Sequence, residues 1–305
     1  MMLAAVLALL SAFLYGPAGV ALERATWPSR APRSAIALWQ AMGLAGGLAA
    51  MGAGLAVAVA PLHRDLFSGI AFLVAQAASG HPLQGLGLNG ALGLTLATDV
   101  GVVLAGGLVL TSWRTLRARS RHRDLLDLVG ARTDRAPGAL LLDHPQAAAY
   151  YLPGWRPRIV LSAGALGLLA NDELSAVLAH ERGHLHERHD LVMLPFASML
   201  QLLRWMPYVR RAPRAVATLV EMAADDFAVR ANDPRQLASA LVHLASSHVT
   251  PRCALAAGET SVVTRVHRLL GPQRTSRWIA VATTAIAVLV LALPLAALLA
   301  PVAPI

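Results

Sequence analysis

Val177-Leu178-Ala179-His180-Glu181-Arg182-Gly183-His184-Leu185 stands in a segment of helical periodicity, with Leu174, Val177, Leu178 and Leu185 recurring at three-to-four spacing. Asn171 or Asp172 is the expected cap of that helix. On a helix, residues four apart differ by about 40° in azimuth and about one turn in height. The imidazoles of His180 and His184 therefore share a face and can ligate one ion. Glu181 stands beside that face, within reach of a water activated by the ion. The alternative is a polar helix face paired to arginines without metal.

Working outward, a second acid-bearing helix, about Val216 to Ala231, carries Glu221-Met222-Ala223-Ala224-Asp225. A catalytic zinc takes three protein ligands and keeps the fourth position for water, and a carboxylate completes a His-His-Glu set. Glu221 is the expected third ligand, with one Zn2+ per chain. Asp225, one turn later on the same face, is placed to accept the N–H of a ligating histidine. His186 and His189, two and five residues past His184, are expected to point away from the ligand face, as surface histidines or as supports behind the ligands and not as ligands themselves. Asp190 is expected to cap or orient a neighbour, and Tyr150, Tyr151 and Tyr208 read as packing aromatics. His243 and His248 read as structural.

The surrounding block is mixed. Ala147 to Leu152 and Arg158 to Leu161 read as a hairpin through Pro153-Gly154-Trp155-Arg156-Pro157, and a further helix covers about Pro234 to Ser246. Leu191 to Val209, broken by Pro195 and Arg204, is either an interfacial or re-entrant segment or a buried core helix.

Composition sets the frame. The chain has 305 residues, 56% apolar and only 14% charged, which excludes a purely soluble protein. Four stretches reach the roughly 20 residues needed to cross a bilayer, at about 2–22, 35–62, 88–112 and 278–300. All 26 basic residues are arginine, and 22 of them stand against 14 acids between Arg114 and Arg277. The short Glu23–Arg33 loop, with three arginines, is expected on the cytoplasmic side. That orientation puts the N-terminus outside, His63–Gly87 in an external loop and the arginine-rich block in the cytoplasm; the alternative is that the mostly apolar Leu66–Gly80, short for a span, crosses as well and turns the block outside. The expected organisation is a membrane region over 1–112, a peptidase-like domain over 113–277, and a fourth span with a short external tail over 278–305. Asp99, midway along the third span, reads as a protonated or hydrogen-bonded packing residue. Cys253 is alone, so disulfide and cysteine-metal chemistry drop out.

The stretch is similar to membrane-embedded zinc metallopeptidases of the BlaR/MecR type, the antirepressor proteases. The similarity rests on Pro157-Arg158-Ile159-Val160-Leu161-Ser162-Ala163-Gly164, Asp172-Glu173-Leu174, the histidine motif and Asp190, within about 140–246. A related group of prenyl proteases and heat-shock membrane proteases shares the Glu221 to Asp225 pattern and Ala238 to Leu244. Three spans before the motif and one after resemble the BlaR/MecR frame. With the chain ending at Ile305, no external penicillin-binding domain and no direct β-lactam sensing are expected.

The resemblance implies a mainly α integral membrane protein: four transmembrane helices and a cytoplasmic α+β, zincin-like domain with a small hairpin. Its activity would be gluzincin-like zinc endopeptidase chemistry with Glu181 as general base, His180, His184 and Glu221 on the metal, and Asp225 behind them. The implied substrate is a cytoplasmic transcriptional repressor or the protease itself. Membrane lipid is a partner and nucleic acid is not. The alternatives are a quality-control membrane protease and a non-catalytic membrane receptor. Oligomeric state is not legible.

Overall fold

The computed structural model describes all residues except 63–65, 82–84, 155–156, 248–261, 272–275 and 300–305, so Cys253 and His248 lie outside the described residues. Among the described residues, four helical stretches are long and apolar enough to cross a membrane: Met2–Arg24, Pro32–Leu62, Gly87–Val129 and Arg277–Leu298. The first is α1 (Met2–Phe13), a π turn (Leu14–Ala18) and α2 (Gly19–Arg24). Pro17 sits inside the π turn; a proline lacks the N–H that a regular ladder needs, and a widened turn accommodates it. A short 3-10 turn, Trp27–Arg30, leads into α3 (Pro32–Val59), whose first residue is a proline, as suits a position with no ladder partner for its nitrogen.

α3 packs among its apolar neighbours and crosses α5 (Gly87–Val129) closely at a pair of glycines. A Cβ on Gly54 would stand 2.7 Å from the Gly93 carbonyl oxygen, and one on Gly93 would stand 2.6 Å from that of Gly54. Only glycine permits that crossing. Between them lies α4 (Leu66–Ala78), where the sequence suggested an external loop. Its 13 residues span about 20 Å, short of the roughly 30 Å of a hydrocarbon core, and Leu73 is buried in a cluster with Val59 and Leu86.

α5 also departs from expectation. Its 43 residues run unbroken for about 65 Å, so the arginines from Arg114 to Arg123 continue the same helix instead of opening a separate block. The change from apolar to basic composition at Ser112 is not a helix stop: no Gly or Pro occurs before Gly130.

After α5 the chain builds a four-stranded sheet: β1 (Ala131–Arg132), β2 (Ala139–Leu142), β3 (Ala149–Leu152) and β4 (Arg158–Ser162), in the order β1-β2-β4-β3. The expected hairpin is β3–β4, antiparallel with Tyr150 opposite Val160. β1 and β2 were not anticipated, because Ala-Leu-Leu-Leu over β2 carries little intrinsic strand preference. β2 runs parallel to β4, which leaves β3 on the sheet edge.

The helices that follow are α6 (Ala163–Leu168), α7 (Asn171–His186), α8 (His189–Leu202), α9 (Pro207–Ala228), α10 (Pro234–Ser247), α11 (262–270) and α12 (Arg277–Leu299). Ala170, not Asn171 or Asp172, is the cap residue of α7, and its N–H donates to Glu173 at 3.0 Å. α9 starts about two turns earlier than expected, with Pro207 in its first turn. The Leu191–Val209 run divides between α8 and the start of α9, and Phe196, Tyr208 and Val209 are buried with Trp39 and Met42 of α3 in one core. A second core joins the sheet, α7 and α10. α7 thus lies between the sheet on one side and α9 on the other.

Candidate metal centre

His180 and His184 are buried on the inner face of α7, with their Nε2 atoms 3.1 Å apart. Glu221, on the facing turn of α9, brings Oε2 to 3.4 Å from His180 Nε2 and Oε1 to 3.5 Å from His184 Nε2. One ligand atom from each residue falls within 4.8 Å of the others. Bonds of about 2.0–2.1 Å to a tetrahedral zinc separate neighbouring ligand atoms by about 3.3 Å, so the three side chains fit such an ion without rearrangement. Gly183 keeps the two helices close: a Cβ there would meet Phe227 Cβ at 3.0 Å and Ala224 Cα at 3.3 Å, a tight fit, and any longer side chain would push α9 away.

Around the three lies a polar shell. Asp225 has no exposure, and its Oδ1 is 3.0 Å from His180 Nδ1, near but off the hydrogen-bonding line. Its carboxylate is occupied by Arg265 of α11, which donates from Nε at 2.8 Å and from an Nη at 2.7 Å. The other Nη of Arg265 is 2.9 Å from Glu221 Oε2. The sequence reading missed Arg265; its one local sign was the spacing of Arg265 and Arg268 on one helix face, and Arg268 pairs with the next acid, Asp226.

His189 corrects an expectation. It does not point away: its ring is buried and Nδ1 is 2.9 Å from His184 Nδ1. Extrapolating the α7 helix misplaced it, because α7 ends at His186 and Arg188 adopts a left-handed conformation (φ 51°) that folds the chain back under the motif. His186 does turn aside, against the Phe227 ring. Asp190 accepts from Arg119 of α5 at 2.8 Å, tying the basic half of that helix to the site. Tyr151 stacks flat on His184 with ring centroids 5.0 Å apart, whereas the Tyr150 hydroxyl meets His122 and Tyr208 donates to the Trp39 carbonyl. His243 rests on Glu173, away from the centre.

The electrostatics separate the roles. Burial pushes Glu181 up to about 7, with His180 acting in the opposite direction. Burial, with His180 alongside, drives His184 down to about 3. For His180 burial acts downward too, but Asp225 and Glu221 outweigh it and bring the ring to about 9. Glu221, despite burial, is held near 2 by His180 and Arg265. Without a metal the His180 proton and the Arg265 guanidinium balance the Glu221 and Asp225 carboxylates; a divalent cation held by the three donors would take the place of that proton.

No curated protein and no solved structure matches the chain. A family model does match: residues 112–228 fit peptidase family M48. The fit takes in the basic half of α5, the sheet and α6 to α9, with His180, Glu181, His184, Glu221 and Asp225, but stops short of Arg265. It does not separate the antirepressor type from the related membrane proteases. Over this segment the chain is similar to the metal-dependent peptidases of family M48, and the His180, His184 and Glu221 cluster is compatible with that chemistry.

Proposed function

We propose that the chain is a membrane-embedded zinc endopeptidase, with His180, His184 and Glu221 as the metal ligands, Asp225 behind His180, and Glu181 as the general base. The observation that carries this reading is the convergence of the three donor side chains beside a buried carboxylate, within the segment that matches a metallopeptidase family. Bound there, zinc would polarise the scissile carbonyl and acidify a water. Glu181 takes the proton of the attacking water and returns it to the leaving amine. An extended substrate aligns along β3, whose free edge borders α7. The oxyanion donor is left unassigned.

The four long apolar helices serve as transmembrane spans, with the Glu23–Arg33 loop and the domain that follows α5 on the cytoplasmic side. The substrate in this reading is a cytoplasmic transcriptional repressor or the protease itself. Metal analysis of the purified chain and a Glu181→Gln variant test it. The wild type should carry about one zinc, and the variant should keep the zinc yet cleave nothing. A chain that binds no zinc, or a variant that still cleaves, defeats the assignment. Substrates trapped on Glu181→Gln separate a signalling protease, with one DNA-binding protein captured, from a quality-control protease with a broad mixture.

A further inference from the structure

Arg33 lies in the first turn of α3, and its side chain reaches back across the helices that carry the candidate ligands. Its Nε donates to both Glu187 oxygens at 3.0 Å, and one Nη donates to Glu187 and, at 3.0 Å, to the Ala223 carbonyl of α9. Ala223 is midway between Glu221 and Asp225. Glu187, just past the end of α7, brings Oε2 to 3.4 Å from His189 Nε2, and His189 Nδ1 is 2.9 Å from His184 Nδ1. Arg33, Glu187, His189 and His184 therefore form one continuous line from the start of the second apolar helix to a candidate metal ligand.

The line has a direction. A neutral imidazole carries one N–H, and His184 must keep the Nε2 lone pair free to ligate, so its proton sits on Nδ1. That N–H donates to His189 Nδ1, which forces the proton of His189 onto Nε2, facing Glu187. The carboxylate of Glu187 is the acceptor this tautomer needs, and the Arg33 guanidinium holds that carboxylate in place. A histidine ligand whose far nitrogen donates to a fixed partner is oriented and made more basic.

We propose that Arg33, Glu187 and His189 are positioning residues that set the tautomer and orientation of His184, and that through Arg33 the metal affinity of the centre depends on where α3 sits against α7 and α9. A movement of the second apolar helix that withdraws Arg33 loosens both the Glu187 arm and the α9 arm at Ala223. This rests on the reading of His184 as a metal ligand.

The test uses the full chain in detergent micelles. Zinc dissociation constants are measured by competition with a chromophoric chelator, and the visible spectrum of the cobalt-loaded protein is recorded. The variants Arg33→Gln, Glu187→Gln and His189→Phe each break a different link. Each should weaken zinc binding by about 10- to 100-fold and shift the cobalt bands at unchanged helix content. The Arg33→Gln/Glu187→Gln double variant should be no weaker than the worse single variant. Zinc affinity and cobalt spectrum equal to wild type in folded Glu187→Gln or His189→Phe, or losses that multiply in the double variant, overturn the proposal. If Arg33→Gln does not fold, the other two single variants still decide. A wild-type chain that binds no zinc would sink the metallopeptidase reading as well, whereas tight binding by wild type and variants alike sinks only the positioning line.

Discussion

Replacing Arg265 by methionine removes the only guanidinium that meets Asp225 among the described residues. Asp225 is wholly buried and accepts two hydrogen bonds from Arg265, while a third contact at 2.9 Å reaches Glu221. Charge-assisted bonds contribute about 1.5–3 kcal/mol each, so the three together set an upper figure of about 9 kcal/mol. Part of that is retained, because His180 Nδ1 stands 3.0 Å from Asp225 and a protonated ring offsets some of the stranded charge. Breaking a buried pair by removing one partner typically costs about 3–5 kcal/mol, and we expect Arg265→Met to fall in that range in the metal-free protein. Asp225→Asn should cost less, since Arg265 keeps Glu221. The double variant should be milder than the sum of the two by about 2–3 kcal/mol, because the second change removes the charge that the first left stranded. Unfolding in mixed detergent–SDS micelles at pH 8, followed by tryptophan fluorescence, measures the cycle. Strict additivity would refute the argument that Asp225 and Arg265 act as one buried unit.

Other outcomes follow from the same geometry. The general base must be ionised, and burial raises Glu181 to about 7 while a nearby divalent cation draws it down. Peptidase kcat/KM should therefore rise with pH to a plateau, with its acid midpoint at or below about 7; a rate that falls between pH 5 and 7 contradicts the role. Gly183→Ala needs only a few tenths of an ångström from Phe227 and should be tolerated, whereas Gly183→Leu should force α9 and Glu221 away, costing roughly 1–3 kcal/mol and weakening zinc binding as read by chelator competition. Burial alone would raise Glu187, but His189 and Arg33 outweigh it and hold the carboxyl near 2, below the ordinary 4.5. A depressed carboxylate contributes stability above its unfolded value that is lost as pH falls. The SDS midpoint of metal-free Glu187→Gln should accordingly fall less between pH 4.5 and 2 than that of the wild type.

Much of the molecule was legible from local pattern. Four apolar stretches long enough for spans, the β3–β4 hairpin, and the shared face of His180 and His184 all follow from periods of two to four residues along the chain. Glu221 and Asp225 were legible as a second acid pair at helical spacing, and the structure brings both within 3.4 Å of His180 ring nitrogens. The misses fall where local pattern has no purchase. The switch to arginine at Ser112 looks like a boundary, but helix propensity continues through it to Gly130. β2 carries little strand preference of its own and is a strand because β4 and β1 offer it ladders on its two sides.

The amino-acid order alone therefore determined which faces each helix presents and which side chains could ligate a metal, since those depend on a few consecutive turns of backbone. Which charges stand behind the ligands was decided only by the tertiary structure. Arg265 reaches Asp225 from 40 residues away and Arg33 reaches Glu187 from 154 residues away, and the reversal at Arg188 turns His189 toward His184. No periodicity encodes such pairings; they arise because burying Asp225, His180 and His184 away from water leaves groups that must find partners, and the packing of α3, α7, α9 and α11 selects which ones.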